Sequence, residues 1–327
     1  MSIRDCLQAK TGWKEDNKER FAQDDNLLGI GVGLKERHGR FSDELSVKYF
    51  VRTKKRDGLA IEEIIPERIG DVATDVVQIA PMRARGSFTM SMRPGVGGCS
   101  GCVVIPGLNY TGTLGLGMRG YGSLADQIFV LSNNHVLANE NRSHIGDPVI
   151  QPGTLDGGNP QTDVIGELFD FVQLNFEPNT NVPNPQVNKV DAACALVYRF
   201  GDFSREIFWV GYPKGWRTRQ SVEQAVADGN NRVQKTGRTT GYTTGEIAAI
   251  SFDGWVAYDS GLAYFEDQML ITPGNFSAAG DSGSVILDMD ENIVGLLFAG
   301  GATHTIANFI QDVWQLLSPI DFSDHIV

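Results

Sequence analysis

The chain is short of several things, and each shortage removes a class of chemistry. Cysteine is scarce: Cys6, Cys99, Cys102 and Cys194 are the four among 327 residues. The pair in "GGCSGCVVIPG" is a single CxxC, with no second CxxC and no HxxxH to complete a zinc site. A redox CxxC opens a helix after a strand, whereas this one is set in glycine and runs into β-type residues, so no metal is expected. No Gly-Lys-Ser/Thr occurs, so the threonines of "GRTTGYTTGEI" read as a hairpin and not as a phosphate cradle. No apolar run approaches the ~18 residues of a membrane helix. The opening "MSIRDCLQAKTGWKEDNKERF" lacks the apolar core and small-residue cleavage site of a secretory leader. The expectation is a soluble, cytoplasmic protein with reduced cysteines and no membrane partner. Basic residues are also few, 28 against 40 acidic, for a net charge of −12. That balance repels a phosphate backbone and argues against nucleic acid. The basic run Arg52, Lys54, Lys55, Arg56 is too short to be more than a solvated turn.

The rest is a well-provisioned globular chain, 41% apolar, long enough to bury about three quarters of its unfolded surface without staples. Leu7, Trp13 and Phe21 stand at helical spacing in a polar N-terminal stretch. "LLGIGVGLK" then alternates glycine with apolar residues as GxGxG, not GxGxxG, and the turn "ERHGR" follows it instead of a helix. That pattern is a β-hairpin with its return strand at 45–53, not a dinucleotide fingerprint. A short helix or turn at 60–69 and a strand at 74–80 complete a small α+β domain, residues 1–86, with "RARGSFTMSMRPGVGG" as connector. From residue 87 the texture changes to short apolar strands between Gly, Asn, Asp and Pro turns, spaced by about 8–12 residues, the mark of an all-β barrel or sandwich. Ile306, Phe309, Ile310, Val313 and Leu316/Leu317 recur at helical spacing and predict a C-terminal helix.

Three segments carry chemistry. "LSNNHVLAN" places His135 just past an apolar strand, "NKVDAACALVY" places Asp191 at the start of another, and "AAGDSGSVIL" places Ser282 on a glycine turn. A serine hydroxyl is a weak nucleophile until a base takes its proton. Histidine, with an ordinary pKa of about 6.5, can accept that proton near neutrality and return it to a leaving amine. A buried carboxylate would hold the imidazole in the right tautomer. Asp163 and Asp170 also lie between His135 and Ser282. Asp191 is preferred because Ala192, Ala193, Cys194, Ala195 and Leu196 would bury its charge in a β core, where it needs a partner. His38, His144, His304 and His325 are scattered and read as surface or loop residues.

The order His135, Asp191, Ser282, with those local sequences, resembles the trypsin/chymotrypsin-like serine proteases across residues 87–327. "LSNNHVLANEN", "GDPVIQPGTLDGG", "VDAACA" and "VQKTGRTTGYTTGEI" are similar to the plant narrow-leaf-type trypsin-like proteases and their bacterial relatives, a likeness that extends more weakly into the N-terminal piece. The resemblance implies a chymotrypsin-like double β-barrel, a non-secreted serine endopeptidase working through an acyl-enzyme, no cofactor, a protein or peptide substrate, and the capacity to form homo-oligomers. The backbone amides of Gly280 and Ser282 would form the oxyanion hole. The pocket for the residue before the scissile bond would be built from Phe276, Ser277, Phe298, Ala299 and Gly300, with no carboxylate and hence an apolar or small preference. Asp281 pairs with a new N-terminus in relatives activated by cleavage; here it needs another partner or has none. The rival readings are a catalytically silent protease-fold scaffold and an esterase or other acyl transferase. An α/β-hydrolase fits poorly, since its triad runs Ser, Asp, His.

Overall fold

A computed structural model describes residues 2–19, 26–37, 40–56, 59–60, 65–79, 88–120 and 122–317. Expectations placed on Phe21, His38, His325 and residues 39, 61–64, 80–87 and 318–320 fall outside them. The chain divides into two compact units, Met1–Ala84 and Arg85–Val327. No helix among the described residues is long and apolar enough to cross a membrane.

In the first unit, Ser2 caps helix α1 (Ile3–Asp16). The Asp5 amide donates to Ser2 Oγ at 3.3 Å and the Ser2 amide to Asp5 Oδ2 at 2.8 Å, which satisfies two donors that a helix start leaves orphaned. Cys6, Ala9 and Trp13, at i, i+3 and i+7, form the buried stripe. Leu7, expected on that stripe, is 48% exposed. It stands one residue, about 100°, past Cys6 on the helix. The sheet beneath has the order β1-β2-β4-β3, with β1 Leu27–Arg37, β2 Arg40–Val51, β3 Arg68–Ile69 and β4 Val72–Gln78. β1 and β2 are the expected antiparallel hairpin, and β2 and β4 run parallel. Residues 68–69 are thus strand where a helix or turn was expected. Val47, Tyr49 and Val51 alternate into the core, and Trp13 meets Tyr49 edge-on at 4.8 Å.

The second unit is a double β-barrel of the chymotrypsin type. Its first sheet has the order β7-β8-β11-β10-β9-β5-β6, with β5 Cys99–Val103, β6 Gly112–Leu114, β7 Leu116–Arg119, β8 Ile128–Ser132, β9 Pro148–Ile150, β10 Val164–Phe171 and β11 Ala193–Val197. The two ends of that order, β6 and β7, are consecutive in the chain. They are joined through Gly115, whose amide donates to the Leu131 carbonyl at 2.8 Å, so the sheet closes on itself. After helix α3 (Arg219–Ala227) comes the second sheet, with β12 Arg232–Gly237, β13 Gly241–Tyr258, β14 Gly261–Thr272, β15 Val285–Asp288, β16 Asn292–Gly300 and β17 Thr305–Phe309. The run β14-β13-β12-β15-β16 is completed by β17, which pairs with both β16 and β14 and closes a second barrel. Closure covers the strand edges within the ring, while β13 beyond Glu246 pairs with β14 alone.

Alternation decides what each strand face meets. In β8, Ile128 and Val130 point into the first barrel, while Phe129 and Leu131 point outward. In β15, Ile286 enters the second barrel, while Val285 and Leu287 point outward. The outward residues of both strands share one apolar cluster with Leu296 and Ile310, so both faces of each strand are buried. This layer brings the end of β8, just before His135, next to the start of β15, just after Ser282. The C-terminal helix is shorter than its apolar spacing suggests. Thr305–Phe309 is strand, because it supplies the pairing that closes the barrel, and helix α4 spans Ile310–Leu316.

Candidate active site

His135 lies on a one-turn helix, α2 (Asn134–Leu137), directly after β8. Val136 and Leu137 are buried in the first barrel, which leaves the imidazole at position 135 to face the cleft, 22% exposed. Asp191 stands just before β11 and is fully buried. Its Oδ2 accepts from His135 Nδ1 at 2.6 Å and from the Tyr258 hydroxyl at 2.9 Å, and its Oδ1 accepts from the His135 amide at 3.2 Å. The Asp191 backbone is fixed as well: its amide donates to Asn308 Oδ1 at 3.0 Å and its carbonyl accepts from Asn133 Nδ2 at 2.6 Å. A buried carboxylate with three donors has its desolvation offset by hydrogen bonds. The two other aspartates are engaged elsewhere. Asp163 accepts from the Asn159 amide and Asp170 from the adjacent Phe171 amide. Burial lowers the His135 pKa, but the Asp191 charge and hydrogen bond and the Glu140 charge more than offset it, so the imidazole lies above its ordinary value.

Ser282 sits in the turn between β14 and β15 and lines the same cleft as His135, a space of about 860 Å³. Its hydroxyl donates to the Phe298 carbonyl at 3.3 Å, and among the described residues no hydrogen bond joins it to His135. The turn is locked to the first barrel: the Thr113 amide donates to the Ser282 carbonyl and the Thr113 hydroxyl to the Gly280 carbonyl, both at 2.8 Å. Gly283 has φ of 94°, and a Cβ there would stand 2.1 Å from the Thr113 carbonyl oxygen, so glycine alone fits. Gly280 has φ of 95°. The carbonyl before it, Ala279, accepts from Thr239 Oγ1 at 2.8 Å. In a trans peptide the C=O and N–H point opposite ways, so this bond turns the Gly280 N–H away from Thr239. Among the described residues nothing accepts from the amides of Gly280 or Ser282.

Asp281 is fully buried under the turn and paired with Lys235, also fully buried, at 3.3 Å. The carboxylate also accepts from the amides of Thr239, Thr240 and Ala278 at 2.8, 3.1 and 3.0 Å. Ser277, Phe298, Ala299 and Gly300 line the cleft. Phe276, expected beside them, is 1% exposed and belongs to the core of the second barrel. It sits on a short 3-10 turn whose next residue, Ser277, takes the cleft-facing place and shares a 2.6 Å hydrogen bond with Thr305 Oγ1. The acidic residues along the cleft are Glu140 and Asp259, and the Glu140 carboxylate accepts from the Asp259 amide at 3.1 Å.

No group of three His, Cys, Asp or Glu among the described residues could hold a metal. Burial pushes the Cys99 thiol up to about 12, and all four cysteines are unbonded and buried. His144 and His304 are exposed. Sequence reading missed Lys235, Tyr258, Asn133 and Asn308. Only Lys235 carried a signal: it shares strand parity with Val233, which faces the second barrel's core, and an inward lysine demands a buried partner.

No family model and no curated protein matches the chain. Solved structures similar to it include protease A of Thermobifida fusca, 15% identical, over 67% of this chain and 94% of that one, with a TM-score of 0.43. A Nocardiopsis protease is 14% identical, over 67% and 94%, at 0.43. A Cellulomonas bogoriensis chymotrypsin is 15% identical, over 67% and 93%, at 0.41.

Proposed function

We propose that the chain is a serine endopeptidase that hydrolyses peptide bonds through an acyl-enzyme, with Ser282 as nucleophile, His135 as general base and Asp191 as its orienting carboxylate. The observation that carries this reading is the 2.6 Å bond between His135 Nδ1 and buried Asp191, in a cleft that Ser282 also lines. With Nδ1 engaged, Nε2 is the nitrogen left to take the serine proton. The hydroxyl swings from the Phe298 carbonyl toward that nitrogen as the substrate carbonyl arrives. The tetrahedral oxyanion is received by the Gly280 and Ser282 amides, each such donor being worth about 2.7–4 kcal/mol. His135 then gives its proton to the leaving amine, and water repeats the cycle on the ester. The pocket of Ser277, Phe298, Ala299 and Gly300 would take a small or apolar side chain.

One observation favours the silent-scaffold reading: the Ser282 hydroxyl is bonded to a carbonyl and not to His135. A fluorophosphonate probe separates the two. Covalent labelling of the wild type that is absent in Ser282→Ala supports the enzyme, and no labelling of the wild type overturns it. Cleavage of peptides, and not of simple esters alone, separates a protease from an esterase.

The likeness to the narrow-leaf-type proteases rests on the sequence segments. With residues 87–327 as the protease domain, residues 1–86 would recruit substrate, cover the site or build a homo-oligomer. β1 is an edge strand rich in glycine, a form that pairs readily with another chain. Light scattering on the full chain and on one lacking residues 1–85 separates oligomerisation from the other roles.

A further inference from the structure

The group that completes the hydrogen bonding of Asp191 comes from the other barrel. Tyr258 ends β13, an 18-residue strand that forms a long hairpin with β14. Its hydroxyl donates to Asp191 Oδ2, the same oxygen that accepts from His135 Nδ1. Its ring meets His135 edge-on at 5.8 Å and Phe176 at 5.6 Å, and stacks on Phe265 at 6.3 Å, so its position is held by packing. Burial, and then the Asp191 charge, push the phenol well above its ordinary pKa, so it keeps the proton it donates.

The hairpin tip beyond Tyr258 is gripped by Glu140. Its carboxylate accepts from the Asp259 amide at 3.1 Å and the Ser260 amide at 2.7 Å, and Arg142 donates to it at 2.7 Å. Glu140 reaches the tip from an unusual backbone. Asn139, Glu140 and Asn141 have φ of 47°, 56° and 70°, three left-handed residues in a row, each disfavoured for a side chain bearing a Cβ. Asn134 and Asn141 lock the run: the Asn141 amide donates to Asn134 Oδ1 at 3.1 Å and Asn134 Nδ2 to Asn141 Oδ1 at 2.8 Å. Asn141 Nδ2 further donates to the Leu174 carbonyl at 2.7 Å. Strain held this firmly marks a segment whose direction matters. The run begins two residues after the helix that carries His135, so one segment supplies both the imidazole and the acceptor for the tip.

Resting on the hydrolytic reading above, we propose that Tyr258 is a positioning residue for the His135–Asp191 pair and that Glu140, through the hairpin tip, holds Tyr258 in place. The hydroxyl fixes the Asp191 carboxylate so that one oxygen meets His135 Nδ1 and the other its amide. It also shares the carboxylate's charge, which restrains how strongly the imidazolium is stabilised.

The test uses the full chain with Tyr258→Phe, Glu140→Gln and the double variant. NMR titration reads His135 and the far-downfield proton of its bond to Asp191 without any substrate. In folded Tyr258→Phe, the His135 pKa rises by roughly half to one unit, as expected for one lost hydrogen bond to the carboxylate, and the downfield proton moves. Fluorophosphonate acylation slows about 10-fold, the scale of one such bond. With peptide substrates the loss falls on kcat and not on KM. Glu140→Gln slows acylation too, and by less in the Tyr258→Phe background than in the wild type, what remains there being the direct effect of the lost Glu140 charge on His135. An unmoved His135 pKa and downfield proton, a loss confined to KM, or additive effects in the double variant would each overturn the proposal. Should Tyr258→Phe not fold, a fluorinated tyrosine at 258, a stronger donor, must lower the His135 pKa; no shift overturns the proposal. If the wild type takes no fluorophosphonate, the hydrolytic reading fails while the NMR titration still decides the role of Tyr258.

Discussion

Replacing Lys235 by methionine tests how the turn under Ser282 is held. The ammonium donates to Asp281 Oδ2 at 3.3 Å, to the Gly241 carbonyl at 3.1 Å and to the Thr240 hydroxyl. Methionine keeps the length and flexibility of the stem, so little packing is lost. What disappears is the donor group that serves a fully buried carboxylate, the Gly241 carbonyl and the Thr240 hydroxyl, none of which methionine can satisfy. Breaking a buried pair from one side costs about 3–5 kcal/mol, a large part of the ~5–15 kcal/mol that holds a domain together. Asp281 keeps three backbone amides and the Thr240 hydroxyl, so the expected loss is at the low end, about 3 kcal/mol. Urea unfolding of the full chain reads it as a lowered midpoint of the second unit at constant slope. The same turn aims the Gly280 amide. A mis-set oxyanion donor costs about 100-fold or more in rate, so fluorophosphonate labelling should slow by that factor while still forming the Ser282 adduct. The pH dependence has a definite sign. Burial lowers the Lys235 pKa, with the Asp281 charge and hydrogen bond offsetting part of the effect. As pH rises through that lowered folded value the ammonium neutralises, Asp281 loses its counter-charge, and labelling falls on an alkaline limb below the ordinary lysine range. Over that window the unfolded chain binds more protons, so the lysine's own contribution to stability rises with pH. The limb is therefore a loss of rate without unfolding, and Lys235→Met should lack it. A variant with the wild-type urea midpoint and labelling rate would show that Lys235 does not hold the turn.

Other outcomes follow from the same geometry. Gly280→Ala would place a Cβ 2.6 Å from Thr239 Oγ1 at a φ of 95°, adding about 1–3 kcal/mol of strain; labelling kinetics should fall about 100-fold, and an unchanged rate would remove this amide from the oxyanion hole. Because His135 titrates above its ordinary value, the pH–rate profile of peptide hydrolysis should lose activity on acidification through a midpoint above 6.5, the protonated ring being unable to accept the serine proton. The matching stability contribution of His135 is complete below its unfolded pKa and lost as pH rises through the folded one. Chromogenic peptides with Ala, Leu or Phe before the scissile bond should be cut faster than those with Arg; a strong Arg preference contradicts the assigned pocket. Hydrolysis should be unchanged by EDTA, and a loss restored by added metal would show that the chain depends on a bound cation.

The barrels were legible because a short apolar run bounded by turn residues is a local signal. "QIFVLS" and "GSVIL" announce strands whichever partner they find, and the glycines around Ser282 announce a turn that needs positive φ. The candidate His and Ser were legible for the same reason, each standing where an apolar strand meets small residues. Elsewhere local pattern misled. Residues 305–309 carry helical spacing but are strand, since barrel closure rewards pairing with β14 and β16 more than propensity opposes it. Phe276 is adjacent to the cleft in sequence and turned into the core in space.

Local pattern along the chain was enough to reveal a mainly β fold, most of its strands and turns, and the order of an imidazole, a carboxylate and a hydroxyl. It took the packing of the barrels to bring the expected Asp191 to His135, Lys235 to Asp281, and a tyrosine of the second barrel to Asp191. The difference is one of range. Periodicity and turn chemistry act between near neighbours, whereas a buried charge is partnered by whatever donor the packing of two barrels brings within 3 Å or so, and that donor comes from far along the chain.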